Sequence, residues 1–187
     1  MVKLPKRLQL MIRRNIIHLP RLLTTMFRYY KNDKISEEKK YEFIRELGVR
    51  GCPSGNINVH GYGFDQLPKE SYIMYPNHQG LFDVLAIMQT CEKPFSVVMK
   101  KEVQNIPFLK QVFACMKAYA IDREDVRQSM KVIQQVSKEV QSGRNYLIFP
   151  EGTRSKNPNT VHEFKGGSFK SATKAKCPIV PIALIDS

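Results

Sequence analysis

From Tyr72 onward the chain repeats one pattern: a short apolar run, a polar or helical stretch, then another apolar run. The runs fall at 72–75, 95–99, 118–121, 146–149 and 179–184, each bounded by turn or polar residues. The clearest helix between them is 124–141, with Val126, Met130, Ile133, Val136 and Val140 on one face and Gly143 beyond its end. Strands alternating with helices predict an α/β fold, a mixed β-sheet covered by helices. The 187 residues are enough for one domain with a real core, and 42% hydrophobic and 25% charged content is that of a folded chain. A further strand is predicted from the alternation at 57–62. A helix is predicted from Ser36, its N-cap, to Leu47, with Gly48 ending it and 51–56 forming a turn or linker.

The net charge of +13 is concentrated at one end. Residues 1–32 carry eight Lys or Arg and no acid, whereas the other 22 basic and 17 acidic residues leave only +5. In residues 4–30, Leu8, Met11, Ile12, Ile16, Leu19, Leu22, Leu23, Met26, Phe27 and Tyr30 recur at spacings of three and four. Arg14, Arg21 and Arg28 lie away from that stripe, and Pro20 kinks or splits the region. A basic helix with one apolar face can lie in an anionic membrane surface, or pack its stripe on a core. Charge bunched beside an apolar stripe, rather than interleaved with aromatics, argues against nucleic acid as a partner. No run approaches the 18 apolar residues of a spanning helix, and none resembles a signal peptide. Cys52, Cys91, Cys115 and Cys177 are scattered, which points to reduced thiols in a cytosolic setting rather than a disulfide framework or zinc site. His18, His60 and His162 have no partners at metal-ligand spacing, and Gly61-Tyr62-Gly63 lacks the third glycine of a dinucleotide fingerprint.

Two segments carry chemistry. In Asn77-His78-Gln79-Gly80-Leu81-Phe82-Asp83 a histidine and an aspartate sit five apart. On a regular helix such residues point about 140° apart, and on a strand they face opposite sides. Contact therefore needs His78 in the turn before a helix and Asp83 in its first turn. Pro76, Asn77 and Gly80, which permits an unusual backbone angle, allow this. There the carboxylate can hold one imidazole nitrogen so that the other accepts a proton, although alone such a pair is more often a capping aspartate beside a surface histidine. The second segment is Phe149-Pro150-Glu151-Gly152-Thr153-Arg154. Its glycine lets backbone approach a ligand, Arg154 can grip a phosphate by two parallel hydrogen bonds, and Thr153 can donate to it. Glu151 can orient an Arg, a Lys or a glycerol, or form a simple salt bridge with Arg154. Lys165-Gly166-Gly167-Ser168 is a turn with a faint likeness to an anion-binding loop.

Together with Lys101-Glu102 through Pro107 to Ala120-Ile121-Asp122-Arg123, and with Val180-Pro181-Ile182, these blocks resemble in order and spacing the motifs of the glycerolipid acyltransferases. They are most similar to those of bacterial lysophosphatidate acyltransferases, over residues 57–184. Lys110 and Lys117 stand where that family usually has glycines, and relatives usually continue past the last block. The basic amphipathic pattern predicts a membrane-association segment at 1–50, and the resemblance implies an acyltransferase domain, C-terminally short, at 51–187. It implies that His78, oriented by Asp83, deprotonates the sn-2 hydroxyl of lysophosphatidic acid, which attacks the thioester of acyl-CoA or acyl carrier protein. Glu151, Gly152, Thr153, Arg154, Lys101 and Arg123 would then bind substrate, with no metal and no cofactor, at the cytoplasmic face of the cell membrane. Leu81, Phe82, Phe108, Leu109, Val112 and Phe113 would line an acyl groove or pack in the core. The same chemistry on another lysolipid, or a non-catalytic membrane-surface protein, are the alternatives.

Overall fold

A computed structural model describes residues 5–80, 82–106, 108–155, 157 and 159–187. The elements are α1 (Lys6–Arg14), α2 (Leu19–Lys31), α3 (Glu37–Ser54), β1 (Ile73–Pro76), α4 (Asp83–Thr90), β2 (Phe95–Lys100), α5 (Leu109–Cys115), β3 (Tyr119–Ile121), α6 (Val126–Gln141), β4 (Asn145–Ile148), α7 (Lys170–Ala175) and β5 (Ile179–Ile182). Short 3₁₀ turns lie at Phe64–Gln66, Lys101–Asn105 and Gly166–Phe169.

Each apolar run predicted as a strand from Tyr72 onward forms one. They make a single sheet in the order β3-β2-β4-β1-β5, and every pairing is parallel. A mixed sheet was expected; the reason it is parallel lies in the connections. Each successive pair of strands is joined through a helix, which returns the chain to the end of the sheet from which it started. Side chains alternate across the pleat. Tyr72 and Met74 enter one core with Met26, Tyr41, Ile44 and Phe95, while Ile73 and Tyr75 enter a second with Val132, Val136 and Tyr146. Helices α2 to α5 supply the first core and α6 and α7 the second.

Several local expectations change. α3 does not stop at Gly48 but runs on through Gly51 and Pro53 to Ser54, so the boundary drawn between residues 50 and 51 falls inside a helix. Gly51 and Gly55 serve close packing, while Gly48 has ordinary clearance. A β-carbon on Gly48 would meet the Leu85 side chain of α4 at 3.6 Å, and on Gly51 or Gly55 it would crowd Met11 of α1 at 2.9 or 2.7 Å. Ser36 does cap the helix, accepting from Lys39 N. Residues 57–62 form no strand; every strand of the sheet lies between Ile73 and Ile182. Val126 is exposed at the start of α6, whose buried face is Val132, Val136 and Val140.

The basic N-terminal region divides at 15–18 into α1 and α2, with Pro20 in the first turn of α2. It is partly core and partly surface. Met26 is wholly buried, and Arg14 reaches Ser54 O and Asn56 Oδ1 at 3.1 and 2.7 Å. Ile16 and Ile17, by contrast, are 60% and 86% exposed. Among the described residues no helix is long and apolar enough to cross a membrane.

Candidate active site

Parallel strands end on a common edge, and in open α/β sheets the crevice beyond that carboxyl edge is where ligands bind. β1 leads into Asn77-His78, and its neighbour β4 leads into the 149–154 block. β2 leads into Lys101 and β3 into Asp122-Arg123. The sheet therefore delivers all four motifs to one edge.

His78 Nδ1 lies 2.7 Å from Asp83 Oδ2, with His78 before α4 and Asp83 as its first residue. The imidazole stacks on Phe149 with ring centroids 4.0 Å apart. Nδ1 is thus engaged and Nε2 is the nitrogen left to accept a proton. Asp83 is fully buried. Its Oδ2 also accepts from Gln79 N at 2.8 Å, and its Oδ1 from Gly80 N at 2.9 Å and Ser187 Oγ at 2.7 Å. Burial by itself would raise the carboxyl pKa; the hydrogen bonds from His78, Gly80, Ser187 and Gln79 outweigh it and hold the group below the usual carboxylate range. Gly80 matters through close approach rather than through a left-handed backbone: a β-carbon there would meet Ser187 O at 3.1 Å and Asp83 Oδ1 at 3.3 Å.

Glu151 is placed differently from either reading of the sequence. It is 1% exposed, and both carboxylate oxygens are taken by backbone amides. Oε1 accepts from His78 N at 2.7 Å and Oε2 from His162 N at 3.0 Å. It neither pairs with Arg154 nor has an oxygen aimed at solvent. Ser155 N adds a further tie, donating to His78 O at 2.8 Å. Gly152 adopts a left-handed φ of 71°, closing a turn in which its N–H donates to Phe149 O. Thr153 and Arg154 are exposed beyond it, and the Arg154 side chain has no partner among the described residues.

The second-rank cations separate. Arg123 is exposed and unpaired among the described residues. Lys101 Nζ is 3.0 Å from Asp122 Oδ2, a pairing that raises the Lys101 pKa and lowers that of Asp122. Lys117 adopts a left-handed φ of 51° just past α5, a conformation that glycine takes most readily, and its ammonium pairs with Glu37. Lys110 is exposed on α5. Phe108, Val112 and Phe113 pack on the core rather than lining an open groove, and Leu81 lies outside the described residues.

The sequence did not point to an apolar cavity of 320 Å³ between α4, β5 and the 59–67 segment, lined by Leu67, Ala86, Ile87, Val180, Ile182 and Leu184. It adjoins the His78 loop, because Leu184 O accepts from Asn77 Nδ2 at 2.9 Å and Gln79 Nε2 at 2.8 Å. The stack of Phe149 on His78 also went unseen. Among the described residues no three His, Cys, Asp or Glu side chains converge as metal ligands.

The acyltransferase family model matches residues 56–185. The 1-acyl-sn-glycerol-3-phosphate acyltransferase of Saccharomyces cerevisiae is 32% identical over 130 residues, covering 68% of this chain and 43% of the yeast protein. The enzyme of the same name from Borreliella burgdorferi is 32% identical over 132 residues, covering 70% and 52%. The chain spans about half the length of these curated relatives. The crystal structure of the 1-acyl-sn-glycerophosphate acyltransferase PlsC from Thermotoga maritima shares the fold, with a TM-score of 0.68 at 23% identity over 90% of this chain and 67% of that one.

Two outcomes follow from the buried carboxylates. Glu151→Gln sets an amide NH₂ against a backbone N–H, which should cost about 1–3 kcal/mol in urea unfolding. It should also lower kcat far more than it raises KM; a raised KM with unchanged stability would instead make Glu151 a substrate contact. For Asp83, the folded pKa lies below the unfolded value of about 4, so its stabilising effect is complete above that pH. It is lost as pH falls through the lowered value. Asp83→Asn should reduce stability at neutral pH and flatten the acid-unfolding limb below about pH 4, whereas superimposable acid limbs would contradict this.

Proposed function

The chain belongs to the acyltransferase family, and on that premise we propose that it moves an acyl group from acyl-CoA or acyl carrier protein to the sn-2 hydroxyl of 1-acyl-sn-glycerol 3-phosphate, giving phosphatidic acid. His78 Nε2 takes the hydroxyl proton while Asp83 holds Nδ1–H and balances the imidazolium. The alkoxide oxygen attacks the thioester carbonyl, the C–S bond breaks, and the departing thiolate takes the proton from Nε2. The acyl thioester is the sole co-substrate, and no metal or cofactor takes part. The unpaired Arg154 and Arg123 receive the acceptor's phosphate, with Thr153 and the Gly152 backbone beside it and Lys101 held in reserve by Asp122. The apolar cavity beside Leu184 takes an acyl chain. The observation that carries this reading is an imidazole fixed by a buried carboxylate at one nitrogen and open at the other, on the same sheet edge as two uncompensated guanidinium groups.

The lysolipid acceptor and its diacyl product partition into a bilayer, and the N-terminal region supplies the means to reach it. Ile12, Ile16 and Ile17 are exposed beside Arg13 and Arg14, so α1 and the turn after it can bury aliphatic side chains in an anionic leaflet. The protein then works as a peripheral, monotopic enzyme at the cytoplasmic face of the membrane.

Free-thiol release from acyl-CoA in lysophosphatidate micelles tests the chemistry. Wild type should release thiol only when lysophosphatidate is present, and His78→Ala should slow release by about 10²–10⁴-fold with the fold intact. Undiminished release by His78→Ala removes it as the base. Because Met26 is core, the membrane contact is tested by Ile16→Ser with Ile17→Ser rather than by deleting the N-terminus. Cosedimentation with anionic vesicles should weaken by about tenfold or more, from the roughly 1.5–3 kcal/mol of burying each isoleucine; unchanged sedimentation rules this surface out.

A further inference from the structure

The Lys165-Gly166-Gly167-Ser168 turn finds its place against the Glu-Gly-Thr-Arg turn. Lys165 N donates to Pro150 O at 2.9 Å, and Ser168 Oγ donates to the same oxygen at 3.3 Å. Glu151 secures the approach to this turn through His162 N, using the carboxylate that also holds His78 N. The Lys165 side chain then lies across Gly152: a β-carbon there would sit 3.3 Å from Nζ and 3.5 Å from Cδ and Cε. Gly152 is therefore small for two reasons, its left-handed φ and the lysine stem above it. Lys101 and Lys117 are matched by Asp122 and Glu37, but the Lys165 ammonium has no carboxylate or hydrogen-bond partner among the described residues. Arg154, two residues beyond Gly152, is equally unmatched. The Lys165 ammonium over the Gly152 turn and Arg154 two residues further on give this pair of turns two unmatched cations, the charge that a doubly charged anion needs.

We propose that Lys165 is a further phosphate-binding residue, its ammonium pairing with a phosphate of a substrate seated on the 151–154 turn. The inference rests on the acyl-transfer reading for the identity of that substrate, not for the site itself. The phosphate has two possible sources: the terminal phosphate of the glycerol acceptor, or the phosphates of the donor's carrier arm. Either charge would be met by the same ammonium.

The test compares wild type with Lys165→Gln, which removes the charge at similar length, and Lys165→Arg, which restores a cation. Glycerol 3-phosphate binding by titration calorimetry should weaken about tenfold to hundredfold in Lys165→Gln, the usual effect of losing a charge-assisted hydrogen bond, and recover in Lys165→Arg. In the thiol-release assay, a raised KM for lysophosphatidate alone assigns the acceptor's phosphate, and a raised KM for acyl-CoA alone assigns the donor's. Either supports Lys165 as a phosphate ligand. Calorimetric affinity and both KM values within twofold of wild type in Lys165→Gln would overturn it. A wild type that releases no thiol from either acyl-CoA or acyl carrier protein, yet loses glycerol 3-phosphate affinity on Lys165→Gln, would refute acyl transfer to lysophosphatidate and leave the Lys165 site standing. Absence of glycerol 3-phosphate binding by wild type, with KM values unmoved in the variant, would refute the site.

Discussion

Glu151 uses a buried carboxyl group to hold backbone. Its two oxygens take the amides of His78 and His162, one from the loop after β1 and the other from the loop after β4. A buried polar group is costly unless it is hydrogen-bonded, and here both oxygens are. In return two loops that lie 73 positions apart in sequence at their point of contact are fixed to each other. Asp83 does the same on the far side of the imidazole, combining the His78 side chain with the amides of Gln79 and Gly80. His78 is thus held by main chain and side chain at once, and Phe149 covers one ring face.

The parallel sheet makes that arrangement possible. With β1 and β4 adjacent and pointing the same way, their following loops must emerge side by side. The charges around the edge then sort by partner. Lys101 is neutralised by Asp122 and Lys117 by Glu37, while Arg123, Arg154 and Lys165 remain uncompensated among the described residues. Uncompensated positive charge is therefore left on the sheet edge that also carries His78. The basic N-terminal region adds a second layer of the same logic. It anchors itself to the core through Met26 and to α3 through Arg14, and leaves Ile16 and Ile17 outward.

Much of this was legible in the sequence. The strands from Tyr72 onward and α6 announced themselves by apolar pattern, and the contact of His78 with Asp83 followed from asking what backbone would let residues five apart meet. What misled was local chemistry overruled by packing. Gly48 looked like a helix stop, but α3 runs straight through it, and the alternation at 57–62 joins no strand of the sheet. The direction of the sheet was missed although a helix in every crossover requires it. The role of Glu151 could not be seen, because its partners are backbone amides, which every residue but proline carries and which leave no trace in side-chain identity. Lys165 was visible only as part of a glycine-rich turn; its position depends on a contact with Gly152 that exists in three dimensions alone.

The proposed chemistry needs His78 with a proton on Nδ1 and a bare Nε2. The direct measurement is ¹⁵N NMR of the His78 imidazole in the neutral ring form. The geometry predicts a protonated Nδ1 whose hydrogen is shifted far downfield by Asp83, and an Nε2 with the shift of an unprotonated nitrogen. A proton found on Nε2 would mean that the ring offers a donor where the reaction needs an acceptor, and would contradict the assignment of His78 as the base.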